Sequence, residues 1–501
     1  MEIHIDRGSA VPIYLQICQG LREMIVTGKL PEGFRLPPER RLAQALGVNR
    51  STVLAAYREL KADALVDAHV GRGTSVLARP LPSHGDPGVV PLAWRQLFSE
   101  VGGALEDPLL RDLLELSERH DVISLSVGLP ARELLPLETL RAVNEELLSE
   151  VGPAMLLHSP SEGITPFRAT LVDLATTRGI TCSLPEVIVV SGSQQGLDLV
   201  ARVLVQPGDA VVVEEPSFFG ALQVFRAARA RLLGVPVDGD GLRTDALESL
   251  LARYRPKLIY TLPTFQNPSG VVMSLERRRQ LLELAHHYQI PILEDDPYSE
   301  LRYEGTPPPS LKALDAHGYV IYLSSFSKVL FPGLRLGWVV APRPVARQLV
   351  LAKQAVDLHS STLGQWWLDR FVRAGHLARH VVQVRQAYAA RRDVMDEALR
   401  SFASTSLTWQ RPTGGFYFWC RLAEGMSHTR LLARAAERRV SFLPGAACFF
   451  AEGGEDHIRL NFTFPGPEEI REGVCRLGEA LRTVASSVHQ RGSHGGTPPI
   501  V

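Results

Sequence analysis

Lys328 lies in the segment SSFSKVLFPGLRLGW, directly after the apolar run YVIYLSS. A lysine at a strand end among hydroxyls is placed to act as a Schiff-base nucleophile, because partial desolvation lowers the pKa of its ammonium. Arg335 follows seven residues later, beside Pro332 and Gly333, where a guanidinium can grip a phosphate bidentately. A second segment, SGSQQGLDLV, follows VIVV. Gly192 and Gly196 let the backbone approach an anion, and a helix starting near Gln194 points free N–H groups at it. Ser193 and Gln194 add side-chain donors. In EEPSFFG, Phe218 sits at a strand end, where a flat ring stacks on a heteroaromatic one. Asn267 in PTFQNPSG and Asp295 in LEDDPYSEL each follow an apolar run. A carboxylate at a strand end, set against a pyridine nitrogen, keeps that nitrogen protonated and makes the ring an electron sink. Asn267 and Tyr298 can hydrogen-bond a phenolic oxygen on the same ring and tune its proton affinity. In DHIRLNFTFP, Arg459 can take a carboxylate bidentately. Taken singly, each has an ordinary reading: a surface lysine, a common strand–turn–helix junction, a packed aromatic, a turn, an ion-paired arginine.

The elements that must position these residues alternate along the chain. From residue 121 to about 486, apolar runs such as VIVVS, AVVVEE, KLIYTLP, IPILEDD and LGWVVAP are separated by helical stretches. This alternation predicts a mostly parallel sheet covered on both faces. Residues 10–78 are a separate compact pattern. Ile13, Ile17, Leu21, Met24 and Ile25 fall at helical spacing before Gly28. A short helix ERRLAQALG, a helix RSTVLAAYRELKADA capped at Asn49, and a hairpin punctuated by Gly71 and Gly73 follow. Helix, helix–turn–helix, hairpin is the order of a winged helix–turn–helix. The Pro- and Gly-rich stretch 79–93 reads as a linker, and residues 94–120 read as helical. The body is expected over 94–486, and a disordered tail over 487–501.

A chain of 501 residues is too long for one core. Net charge is zero, but residues 1–80 hold 11 basic against 8 acidic side chains, a weak sign of nucleic-acid contact. Five scattered cysteines, with no Cys-x-x-Cys pair, read as reduced thiols. No apolar run reaches membrane-spanning length; the longest candidate, around 319–342, is broken by Lys328 and Arg335. A soluble cytoplasmic protein with no membrane partner and no metal is expected.

Together, in this order and spacing, the residues of 121–486 resemble the fold-type I pyridoxal 5′-phosphate (PLP) enzymes of the class I aminotransferase family. The resemblance implies an α/β/α body with a smaller subdomain from 121–155 and 355–486 and a larger one from 156–354. It implies PLP as an aldimine at Lys328, with Asp295 on the ring nitrogen and Asn267 and Tyr298 on the ring hydroxyl. Lys328, Asp295 and Tyr298 become the catalytic set, and Phe218 stacks on the ring. Ser193, Gln194, Ser325, Ser327 and Arg335 become the phosphate cup. Arg459, with Gly128 and Asn267, faces the substrate. The family usually has Tyr where this chain has His158, and that Tyr reaches the phosphate of a neighbouring subunit, so a homodimer is implied.

Residues 10–78 resemble the GntR-type winged helix–turn–helix through PIYLQI, LPPERRLAQALGVNRSTVLAAYRELKADALV and GRGTSV. The helix start carrying Asn49, Arg50, Ser51 and Thr52 suits a major groove. Arg40 suits a backbone phosphate, and Arg72 a wing tip near the minor groove. A GntR-type head on an aminotransferase-like body resembles the MocR subfamily of transcriptional regulators. That resemblance implies a double-stranded DNA operator and an amino-acid or vitamin B6 effector, sensed through the aldimine at Lys328. A working aminotransferase with a DNA-binding head is the alternative, since every nameable catalytic position is occupied. A dead dimerisation scaffold would have no need to keep Lys328, Asp295 and Arg335 together.

Overall fold

The computed structural model describes residues 3, 5–6, 12–62, 65–69, 73–77, 119 and 121–492. The chain divides into two compact units, Met1–Trp94 and Arg95–Val501. The expected linker 79–93, nearly all of the helical stretch 94–120, and Arg72 lie outside the described residues.

The first unit is the winged helix–turn–helix. Helix α1 (Ile13–Val26) buries Ile17, Leu21 and Ile25, the four-residue spacing that lines one helix face. It packs against α3 (Arg50–Ala62), which contributes Val53, Ala56 and Leu60 to the same core. Helix α2 (Glu39–Leu46) ends at Gly47, whose φ of 62° is the left-handed stop that glycine takes without strain. Asn49 meets the first turn of α3 through its backbone carbonyl, which accepts from Thr52 N at 3.1 Å. Strands β1 (Val66–His69) and β2 (Gly73–Val76) pair antiparallel as the wing. The sequence did not show that Arg35 pairs with Ser75 in a one-residue antiparallel bridge beside this two-stranded hairpin. The bridge is flanked by Leu36 N to Thr74 O at 2.8 Å and Val76 N to Phe34 O at 2.9 Å.

The second unit opens with β3 (Ile123–Ser124). Its central sheet holds β4 (Val187–Val190), β5 (Ala210–Glu215), β6 (Arg231–Asp238), β7 (Gly241–Leu242), β8 (Leu258–Thr261), β9 (Ile292–Asp295), β10 (Val320–Ser325) and β11 (Gly337–Val340). The strand order is β4-β11-β10-β9-β8-β5-β6-β7. β6, β5, β8, β9 and β10 run parallel, and β11 is antiparallel to both of its neighbours. Every residue of β4, β8, β9, β10 and β11 is buried, because helices cover both faces. That is why these strands read as continuous apolar runs rather than as alternation.

A smaller sheet joins β12 (Leu407–Trp409), β13 (Tyr417–Leu422), β15 (Leu443–Pro444) and β16 (His457–Asn461) in the order β12-β13-β16-β15. β14 (Val440–Ser441) pairs in parallel with β3, so the residues just after 121 belong structurally with the C-terminal part of the unit. The last helix, Pro467–Gly492, packs along His376–Phe402. It runs six residues past the expected domain end at 486, so the expected tail is helical to Gly492; residues 493–501 lie outside the described residues. The Gly and Pro content of the final segment sets in only after the helix ends. Among the described residues no helix is long and apolar enough to cross a membrane.

Candidate functional site

The C-terminal ends of the parallel strands converge, which is where open α/β sheets bind ligands. Asp295 is the last residue of β9. Lys328 lies three residues beyond the end of β10. Asn267 follows β8, Phe218 follows β5, and the helix Ser193–Leu204 starts just after β4. A cavity of about 350 Å³ brings Gly128, Ser193, Phe218, Asn267, Asp295, Tyr298, Lys328 and Arg459 together.

Two residues in it are unfinished as they stand. Asp295 is 2% exposed. Its Oδ2 accepts from Tyr260 Oη at 3.0 Å, whereas its buried Oδ1 has no hydrogen-bond partner. Burial pushes its carboxyl up to about 7; Tyr260 and the charge of Lys328 pull it down, while Asp296 and Glu214 push it further up. Arg459, 3% exposed, donates Nη1 to Asn267 Oδ1 at 2.7 Å and Nη2 to the Ser126 carbonyl at 2.9 Å. Its buried Nε has no partner. An orphaned carboxylate oxygen calls for a cationic N–H, and an orphaned guanidinium N–H calls for an anion.

Lys328 Nζ donates to the Gly128 carbonyl at 2.7 Å. Desolvation lowers its ammonium pKa, and the nearby charges of Arg459 and Arg335 act in the same direction against Tyr417 and Asp295. More of it is therefore the nucleophilic free amine at neutral pH. Gly128 was expected on the substrate side; its carbonyl holds the lysine.

The remaining expected phosphate ligands do not line this cavity. Gln194 Nε2 is engaged by the Gly220 carbonyl at 2.9 Å. Ser325 Oγ donates to Ser327 Oγ at 2.9 Å. Arg335 is exposed, reaches the Ser191 carbonyl at 3.4 Å, and lies over Gly192. Gly192 has φ 83°, and a Cβ there would stand 2.6 Å from Arg335 Nη2. Gly192→Ala therefore meets about 1–3 kcal/mol of backbone strain, because φ 83° with ψ 166° is a region essentially only glycine occupies, and displaces Arg335. The expected result is at least tenfold weaker binding of inorganic phosphate or PLP, measured by calorimetry, with an unchanged far-ultraviolet spectrum. His158 is exposed and pairs with His359, Nδ1 to Nε2 at 2.8 Å, outside the cavity.

Three contributors were missed by the sequence reading: Ser126, Tyr260 and Tyr417. Ser126 acts through its backbone carbonyl, which carries no sequence signal, and the tyrosines sit in strands where aromatics are ordinary core residues.

In the head, Arg40, Asn49, Arg50 and Ser51 are exposed and Thr52 is partly so. Arg50 Nε pairs with Glu39 Oε2 at 2.9 Å across the starts of α3 and α2.

Two family models match the chain: aminotransferase class I and II over residues 120–477, and the bacterial regulatory proteins of the gntR family over residues 13–76. The chain belongs to the aminotransferase class I and II family. Its relatives fall into two groups. Aromatic-amino-acid aminotransferase 1 of Thermococcus litoralis is 40% identical over 397 residues, 78% of this chain and 95% of its own. The crystal structure of LysN, the alpha-aminoadipate aminotransferase of Thermus thermophilus complexed with N-(5′-phosphopyridoxyl)-L-leucine, is 37% identical. It matches at a TM-score of 0.74 over 79% of this chain and 100% of that one. The probable rhizopine catabolism regulatory protein MocR of Rhizobium meliloti is 31% identical over 486 residues, 96% of each chain. Of these three, MocR alone aligns with the head as well. A gntR head before a class I aminotransferase body is the MocR-type regulator architecture. PLP, the cofactor of the aminotransferase family, fits the donor set: a protonated ring nitrogen would fill the unpaired Asp295 Oδ1, and an aldehyde would find a buried amine in Lys328.

Proposed function

We propose that this chain is a DNA-binding transcriptional regulator, acting in the cytoplasm as a homodimer on double-stranded operator DNA, that senses PLP or an amino compound at Lys328. One observation carries the reading. Ser126 and Gly128, just after β3, supply the carbonyls that hold the two key cations: Ser126 O on Arg459 and Gly128 O on Lys328. A ligand that draws Lys328 Nζ away frees the Gly128 carbonyl, so occupancy acts directly on the backbone just after β3.

When bound, the cofactor supplies an aldehyde for which Lys328 and an incoming amine compete, and a ring that withdraws electrons. The chain's own residues do the rest. Asp295 Oδ1 holds the proton on the ring nitrogen. Tyr298 and Asn267 line the cavity beside it, and Phe218 offers an aromatic face. Arg459 presents Nε–H to a carboxylate. Lys328 Nζ takes up and returns a proton. Ser193 offers a backbone N–H at a helix start, with Arg335 over Gly192 beside it, for the phosphate.

DNase footprinting of the full chain on its own upstream region tests this. A repeated protected site is expected, and its pattern changes when PLP or an amino acid is added. No protected site, or one indifferent to both ligands, overturns the reading. Multiple turnovers with an amino acid and a 2-oxo acid, with no effect on DNA, would make the protein an enzyme instead.

A further inference from the structure

Tyr417 belongs to none of the roles assigned above, yet it stands at their centre. It is 3% exposed and lines the cavity. The Arg459 guanidinium carbon lies 4.0 Å from its ring centroid. Its hydroxyl oxygen accepts from Tyr298 Oη at 3.2 Å. A Cβ added at Gly128 would come within 2.1 Å of that oxygen, so the lack of a side chain at 128 is what makes room for it.

Each phenol has one proton, and only one proton can lie between the two oxygens. In this structure Tyr298 supplies it. If Tyr298 turns its proton to the phenolic oxygen of a bound ring, its own oxygen loses a partner inside a buried cluster unless Tyr417 becomes the donor. Tyr417 is suited to the reversal. Burial raises its pKa, but the charges of Arg459 and Lys328, which stay in place when the bond reverses, act against burial and favour it as the more acidic phenol of the pair. A donor to Tyr298 Oη strengthens the bond that Tyr298 makes onward, because chained hydrogen bonds polarise one another.

We propose that Tyr417 is a positioning residue for the cofactor: by donating to Tyr298 Oη it aims and strengthens the Tyr298 bond to the ring's phenolic oxygen. It thereby sets the pH at which the Lys328-linked cofactor loses its proton. The proposal rests on the reading of Lys328 above. A stronger donor on that oxygen competes with the proton held between it and Lys328 Nζ, so Tyr417 lowers the transition pH.

Visible absorbance of the full-length protein loaded with PLP, titrated from pH 5 to 10, is the test. Tyr417→Phe keeps the ring under Arg459 and removes only the hydroxyl. Its midpoint is expected to rise by about half to one pH unit, the three- to tenfold change in proton affinity that one hydrogen bond supplies. Tyr298→Phe shifts the midpoint further, and the double variant matches Tyr298→Phe alone. Tyr417→His, which keeps a ring and a donor, recovers part of the shift. A structural role in seating Arg459 would change ligand affinity and leave the midpoint in place. An unchanged midpoint in Tyr417→Phe, or a shift that persists undiminished in the Tyr298→Phe background, overturns the proposal. A wild-type protein without a titrating band overturns the reading of Lys328 and this inference with it.

Discussion

Lys328→Ala is expected to abolish the imine band of PLP-loaded protein and leave only the absorbance of the free aldehyde, while the operator footprint survives and becomes indifferent to added amine. The two effects separate because the two units keep separate cores. Ile17, Leu21, Val53 and Leu60 hold the head, and nothing near Lys328 contributes to them. Within the site, removing the side chain deletes the only buried amine the cavity presents among the described residues. Asp295, Arg335 and the helix start at Ser193 remain, so PLP still binds, but through reversible contacts and with the spectrum of the free aldehyde. The cofactor-free variant should fold well, since the lost Nζ leaves unpaired only the Gly128 carbonyl, which water at the cavity can satisfy. Absorption spectra of wild type and variant after desalting, followed by footprints with and without an amino acid, check both halves. An unchanged band would refute the assignment of Lys328. A footprint that still responds to amine would move the sensing elsewhere in the chain.

What the sequence carried, and what it withheld, follow from the range of the interactions. Buried parallel strands announce themselves as apolar runs, because every residue of β4, β9 and β10 is inside. The residues at their ends could therefore be placed in one site from order alone. The head was legible for the same reason: caps, stops and helical spacing are local. Arg35 against Ser75 was not, because a one-residue bridge depends on the hairpin it joins. Ser126 and Gly128 were invisible as anchoring carbonyls, since any residue has a carbonyl. The expected phosphate cup was read as one group, but Gln194 is held by Gly220 and Arg335 lies on the exposed side of Gly192. The spacing fixed which residues come near the turn. It did not fix which of them already have partners. His158 shows the same limit: its position could be matched, but its bond to His359, some 200 residues away, could not be foreseen.

Asp295→Asn should make the cofactor-free protein more stable above neutral pH and its hold on PLP much weaker. The sign comes from the buried carboxyl. Its pKa is about 7 in the folded chain, against 3.8 ordinarily, chiefly because burial penalises the charge. Below about pH 4 the group is neutral in both states, and the variant and wild type should melt alike. As pH rises from about 4 to 7 the unfolded chain ionises while the folded one resists, so wild-type stability is lost over that window. Above pH 7 the loss is complete, at roughly 4 kcal/mol by the conversion of a three-unit difference, an upper figure for a group that water can partly reach through the cavity. Asparagine has no charge to bury and escapes this loss. With PLP bound the balance reverses. The carboxylate would pair with a cationic ring nitrogen, and removing one member of such a buried pair costs about 3–5 kcal/mol, roughly a hundred- to a few thousandfold in affinity. Thermal melts of the cofactor-free proteins at pH 4, 6 and 8, alongside PLP titrations, read the two effects separately. A carboxylate kept for the fold would show the opposite pattern, with Asp295→Asn melting lower at every pH, and that result would remove Asp295 from the site. Opposite signs with and without cofactor are what a residue held in an unfavourable state for its ligand must give.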